Sequence, residues 1–212
     1  MTTRWPRGLY AVTPDEADTP RLIAKVRLAL AGGAAAVQYR NKPAGPALRL
    51  VQATALAEIC GEAGVPLVVN DDVALALEVG AAGVHLGRED GELAAARNRL
   101  GPGKLLGASC YDRIDLAVAA AGGGADYVAF GTMFGSPTKP AARRASLALL
   151  GEARRRTGLP VVAIGGITID NAAAVVAAGA DALAVIAALF AADDIAARAR
   201  AFQELFRRTV TP

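Results

Sequence analysis

Gly33-Ala34-Ala35-Ala36-Val37 returns as Gly80-Ala81-Ala82-Gly83-Val84, as Gly124-Ala125-Asp126-Tyr127-Val128 and as Gly179-Ala180-Asp181-Ala182-Leu183. In each copy a glycine closes an alanine-rich stretch and a short aliphatic run follows. Glycine ends a helix in the left-handed conformation without a Cβ penalty, so each copy reads as a helix stop feeding a strand. Working outward, short β-branched or aliphatic runs alternate with longer stretches of helical periodicity eight times along the chain. The expected strands are Leu9–Thr13, Ala35–Arg40, Pro66–Asn70, Gly83–Leu86, Lys104–Ser109, Asp126–Gly131, Pro160–Ile164 and Ala182–Ala187. The expected helices are Thr19–Ala31, Ala47–Glu62, Val73–Val79, Glu89–Leu100, Asp112–Ala121, Ser146–Thr157, Ile169–Ala178 and Asp193–Arg208. The four glycine copies precede every second strand, as expected where interior layers draw side chains from alternate strands. The expectation is an α/β fold, a single-domain TIM (β/α)8 barrel over residues 1–212. An open doubly wound sheet would want a glycine-rich turn after the first strand, and Val12-Thr13-Pro14-Asp15 stands there instead.

Composition agrees with one domain. The 212 residues hold 53% apolar and 20% charged residues, with 50 alanines against 5% aromatics, which excludes a disordered chain. A net charge of +3 is a weak field, and Arg143–Arg144, Arg154–Arg156 and Arg207–Arg208 lack interleaved aromatics, so no nucleic-acid partner is expected. Cys60 and Cys110 are far apart and have no metal-ligand spacing, which suits reduced thiols. Met1–Pro6 lacks the apolar core of a signal peptide, and Ala172–Ala192 is broken by Gly179 and Asp181, so no membrane partner is expected and the location expected is cytoplasmic.

In a barrel the chemistry sits at the C-terminal strand ends. The second strand ends Gln38-Tyr39-Arg40-Asn41-Lys42, and alternation sends Gln38, Arg40 and Lys42 to one side, where two cations call for an anionic ligand. A strand fraying into a polar loop beside Pro43 and Pro46 is the plainer alternative. Asn70-Asp71-Asp72 and His85-Leu86-Gly87-Arg88-Glu89-Asp90 end the next two strands, and carboxylates on adjacent strand tops form a hard oxygen site suited to Mg²⁺ with a phosphate-bearing substrate. Asp72 and Glu89 also suit first helical turns, and His85, the one histidine, reads first as a packed or hydrogen-bonded barrel residue. Ser109 is a hydrogen-bond donor without triad partners. Ser136-Pro137-Thr138-Lys139 offers two hydroxyls and an ammonium as a phosphate clamp or lid, and Gly165-Gly166-Ile167-Thr168 lets backbone N–H groups approach an anion.

These motifs in order, with Gly107-x-Ser109 and Ala163-Ile164-Gly165-Gly166-Ile167, resemble the thiamine-phosphate synthase family from Tyr10 to about Leu189. The resemblance implies an Mg²⁺-dependent transferase that joins hydroxymethylpyrimidine diphosphate to a thiazole phosphate, or its carboxylate form, with release of pyrophosphate. It implies phosphorylated small-molecule substrates, one Mg²⁺ ion per subunit on Asp71 and Asp90, and leaves the oligomeric state open. Gln38, Tyr39, Arg40, Asn41, Lys42, Asn70, Ser109 and Lys139 would hold the pyrimidine diphosphate, with Lys139, Arg40 and Ser109 catalytic. Ser136, Pro137, Thr138, Gly166, Ile186 and Ala187 would receive the thiazole phosphate. Four positions depart from the family pattern: Ser136 for a frequent threonine, Gly135 for proline, Arg88 for glutamine and Ala187 for serine. Two other readings share the scaffold. A related thiazole tautomerase would need acid/base chemistry rather than the diphosphate set, and a non-catalytic phosphate-ligand sensor would bind without turnover.

Overall fold

The computed structural model describes residues 5–88, 90–135 and 144–207. Its elements run β1 (Gly8–Val12), α1 (Thr19–Ala31), β2 (Ala36–Tyr39), α2 (Pro46–Glu62), β3 (Leu67–Asn70), α3 (Val73–Glu78), β4 (Gly83–Leu86), α4 (Leu93–Leu100), β5 (Leu105–Tyr111), α5 (Ile114–Gly122), β6 (Tyr127–Phe130), α6 (Ala148–Thr157), β7 (Val161–Ile164), α7 (Ile169–Ala177), β8 (Ala182–Val185), α8 (Ala187–Phe190) and α9 (Ile195–Arg207). The eight strands pair in parallel and in sequence order, and β1 closes on β8 through Gly8↔Ala182 to Ala11↔Val185.

The repeated glycines do what their positions require. Gly33, Gly80, Gly124 and Gly179 all have positive φ, between 67° and 104°. At each, the glycine N–H and the following alanine N–H return to carbonyls of the last helical turn, as in Gly33 N to Leu30 O (2.9 Å) and Ala34 N to Ala29 O (3.0 Å). This is the Schellman closure, which satisfies the orphan carbonyls at the moment the chain turns into the next strand.

Alternation along each strand then sorts side chains into two cores. Leu9, Val37, Val69, Val84, Leu106, Val128, Ala163 and Leu183 face the helices, while Tyr10, Ala36, Val68, Leu105, Tyr127, Val162 and Ala182 fill the barrel. Trp5, just before β1, plugs the interior from the N-terminal end: its ring stacks on Tyr127 at 3.8 Å and meets Tyr10 edge-on at 4.8 Å. Alanine inside the barrel leaves room for these three large rings.

Several boundaries differ from their sequence expectation. The fourth helix starts at Leu93 rather than Glu89, because Asp90 turns its carboxylate back onto Gly87 N (2.6 Å) and Gly91 takes φ 109°. The fifth helix starts at Ile114 because β5 continues through a bulge to Tyr111, whose φ is 55°. The sixth starts at Ala148 rather than Ser146. The last strand stops at Val185 and Ala187 opens the short helix α8, where a continuing strand was expected. Among the described residues no helix is long and apolar enough to cross a membrane.

Candidate functional site

At the C-terminal mouth, the tops of β2 and β3 enclose a cleft of about 230 Å³, lined among others by Arg40, Lys42, Arg49, Asn70 and Asp71. Thr13, at the top of β1, holds the Arg40 backbone through its hydroxyl, 2.8 Å from both Arg40 N and Arg40 O. The Arg40 guanidinium is paired with Asp15 (2.9 Å), and the same carboxylate accepts from Lys42 N. The expected cation pair is therefore partly neutralised within the chain, by a residue on the loop after β1 that sequence reading passed over. Its position at a strand top was the available signal. Arg49, from the first turn of α2, adds a third cation to the cleft; its Nε is buried without a hydrogen-bond partner among the described residues.

Asp71 and Asp90 come together although they leave different strands. Asp71 sits at φ 64°, in the left-handed region that aspartate enters more readily than most non-glycine residues. Burial, followed by hydrogen-bonding contact and charge repulsion from Asp90, pushes the Asp71 carboxyl up to about 6, against the pull of Lys42 and a hydrogen bond with Asn70. Two carboxylates in contact are unfavourable without a cation. Hard oxygen donors with room for water and substrate oxygens fit Mg²⁺, which seldom takes an all-protein cage. Among the described residues no cluster of three or more acidic, His or Cys side chains occurs.

The remaining expected residues divide by placement. Gln38 and Ser109 face the barrel interior near its mouth, joined to neighbours by hydrogen bonds of 2.8 Å to Tyr10 Oη and His85 Nε2 respectively. His85 is buried, and desolvation holds its ring well below its usual pKa, at about 4, so it is neutral. This agrees with its reading as a hydrogen-bonded barrel residue. Tyr39 and Asn41 turn instead toward α2. Tyr39 donates to Gln52 Oε1 (3.0 Å), and Asn41 Nδ2 donates to Glu16 O and Gln52 Oε1. What these two contribute to the cleft is its wall.

On the opposite side of the mouth, Gly166 (φ 65°) packs so closely that a Cβ would lie 2.7 Å from Phe134 O. Asn171, on α7, pins this turn: its Oδ1 accepts from Thr168 N and its Nδ2 donates to Gly166 O. Ile186 lies against the barrel interior and Ala187 is exposed at the start of α8. Ser136, Pro137, Thr138 and Lys139 lie outside the described residues, as does Glu89. Cys60 and Cys110 are buried thiols pushed up to about 12, which leaves them unreactive.

The chain is similar to known proteins over nearly its whole length. A family model described as thiamine monophosphate synthase matches residues 9–189. A thiamine-phosphate synthase of Methylobacillus flagellatus is 58% identical over 94% of this chain and 95% of that protein, and one of Bordetella pertussis is 54% identical over 97% of both. A solved thiamine phosphate pyrophosphorylase from Pyrococcus furiosus superposes with a TM-score of 0.85 at 34% identity, covering 96% of this chain and 97% of that one. With the family model matched over residues 9–189 and relatives above 50% identical over nearly the whole chain, the chain belongs to the thiamine monophosphate synthase family.

Proposed function

We propose that the protein is a thiamine-phosphate synthase acting on hydroxymethylpyrimidine diphosphate and a thiazole phosphate. The observation that carries this reading is the contact between the Asp71 and Asp90 carboxyls beside Lys42 and Arg40, a balance of charge suited to a diphosphate with a divalent cation. In this reaction the bond between the pyrimidine methylene carbon and the diphosphate oxygen breaks, and its electron pair leaves with the diphosphate. The thiazole nitrogen lone pair then forms the new carbon–nitrogen bond. No proton need be abstracted, which suits a mouth whose buried histidine is neutral and already engaged on both ring nitrogens.

Each residue then has a physical task. Arg40 and Lys42 stabilise charge on the departing diphosphate, together with Lys139. Asp71 and Asp90 would hold Mg²⁺, which supplies further neutralisation of that charge when bound. Asn70 orients Asp71 through their hydrogen bond, Gln38 engages the pyrimidine, and Ser109 donates to the substrate. Ser136, Pro137, Thr138, Gly166, Ile186 and Ala187 receive the thiazole phosphate, with backbone N–H groups serving at Ala187 where no hydroxyl is present.

Incubation of the purified protein with both substrates and Mg²⁺ tests this reading. Thiamine phosphate and pyrophosphate should appear in equal amounts, and Lys139→Ala should lower the rate roughly 10²–10³-fold, as expected for loss of one preorganised donor to developing negative charge. Absence of product from the wild type at saturating substrates would contradict it.

A further inference from the structure

Five side chains cross the barrel interior in an unbroken line. Gln38 Nε2 donates to Tyr10 Oη (2.8 Å), the Tyr10 and Tyr127 hydroxyls are 3.0 Å apart, Tyr127 Oη is 3.0 Å from His85 Nδ1, and His85 Nε2 is 2.8 Å from Ser109 Oγ. The line links β2 to β5 by way of β1, β6 and β4. Its two ends are residues of the proposed site, and the three between them have no part in the chemistry described above. Their surroundings are apolar, with Trp5, Val12, Val68, Leu105 and Val162 in the same interior cluster. Replacing paired buried polar groups by apolar ones is often neutral for stability, so stability alone does not account for the line.

The line has a direction. A tyrosine hydroxyl carries one proton. Tyr10 accepts from Gln38, and its one proton is used in a second bond only when it turns to its other partner, Tyr127. In that arrangement Tyr127 directs its own proton to His85 Nδ1. A neutral imidazole that accepts at Nδ1 carries its proton on Nε2, which donates to Ser109 Oγ. The serine proton is thereby left for the mouth, and at the far end Gln38 Oε1 is without a partner among the described residues. This assignment gives each of the four bonds in the line one donor and one acceptor.

We propose that Tyr10, Tyr127 and His85 are positioning residues that form a directional relay, holding His85 as its Nε2–H tautomer so that Ser109 faces the ligand as a donor and Gln38 as an acceptor. The assignment of ligand chemistry rests on the function proposed above: an acceptor matches an amino group of the pyrimidine, and a donor matches an anionic diphosphate oxygen. Gly107 supplies an independent sign that the junction is built for this contact. A Cβ there would lie 2.6 Å from His85 Nδ1 and would collide with the Tyr127 ring, so only glycine on β5 lets the two groups meet.

The single histidine makes the relay directly readable. ¹⁵N NMR of the ligand-free full chain at pH 7 should show one proton-bearing nitrogen, Nε2, and one bare nitrogen, Nδ1. Tyr127→Phe, which removes the donor to Nδ1, should shift both signals toward a mixture of tautomers and lower kcat/KM about five- to tenfold, the effect of one lost hydrogen bond. Tyr10→Phe should leave the tautomer unchanged, because Tyr127 still donates to His85. A wild-type ring found as the Nδ1–H tautomer or as imidazolium overturns the relay without need of any variant. An unaltered tautomer in Tyr127→Phe, or a shifted tautomer with unaltered kinetics, overturns it as well. The spectra require no turnover, so an inactive protein with the expected spectra would contradict the functional reading and leave the relay standing.

Discussion

Two titrating residues near the mouth respond to protons in opposite senses. His85 is buried with its ring near 4 against a usual value of about 6.5, so the unfolded chain binds a proton more readily than the native one. Its contribution to stability is complete above about pH 6.5 and is lost as the pH falls toward 4, a change of about 3 kcal/mol for a shift of this size. Asp71 is raised to about 6, so its protonated form favours the native state at low pH and that contribution fades as the pH rises through 6. Its partial exposure screens the effect to about 1 kcal/mol. Urea unfolding at pH 7 and pH 4.5 should therefore show the wild type less stable in acid, and His85→Asn should flatten that difference. An equal pH dependence in the variant would contradict the buried neutral ring. Mg²⁺ affinity should rise with pH through about 6 and level off above it, since Asp71 must release its proton, and Asp71→Asn should weaken binding roughly tenfold or more and abolish that rise. Calorimetric titration of Mg²⁺ in the presence of pyrophosphate measures both. That Arg40, Lys42, Asn70, Asp71 and Asp90 gather at one mouth was legible because each stands at or just beyond a strand top. The Asp15 partner of Arg40 and the unpartnered Nε of Arg49 were not, because their approach to the cleft is set by the packing of the loop after β1 and of α2.

Among the elements, the helix-to-strand junctions carried the most readable signal. The Gly-Ala copies require a left-handed residue for a local reason, orphan carbonyls at a helix end, and local reasons survive in sequence. Gly80 and Gly107 separate that requirement from one set by distant packing. A Cβ at Gly80 meets nothing within 4 Å, so Gly80→Ala should cost only the strain of φ 67°, about 1–2 kcal/mol. Gly107→Ala has no such φ to violate but drives into Tyr127 and His85, and should cost about 1–3 kcal/mol from overpacking together with a loss of activity. Thermal unfolding and turnover of the two variants check this, and an active Gly107→Ala enzyme of wild-type stability would contradict the crowded junction. Helix starts were less readable than helix stops. The helix expected from Glu89 would have taken in Asp90, yet the bond of Asp90 to Gly87 N places it in a turn before α4. Likewise Ile186-Ala187 read as strand on apolarity alone, because no residue type announces a single helical turn such as α8.

Across the whole molecule, closure of the barrel follows from alternation repeated eight times, and the parallel register delivers all eight strand tops to one mouth. What alternation cannot convey is which interior residues meet across the barrel. Residues 10, 38, 85, 109 and 127 come from five strands, and only the closed register brings their polar atoms within 3.0 Å of one another in line. The pairing of β3 with β4 sets Asp71 and Asp90 in contact, and it is there that the account is most exposed. A crystal structure with Mg²⁺ and pyrophosphate tests it directly. The account predicts one ion held by both Asp71 and Asp90, with Arg40 and Lys42 on the pyrophosphate oxygens; an ion bound elsewhere, or pyrophosphate seated away from the β2 and β3 strand tops, would contradict it.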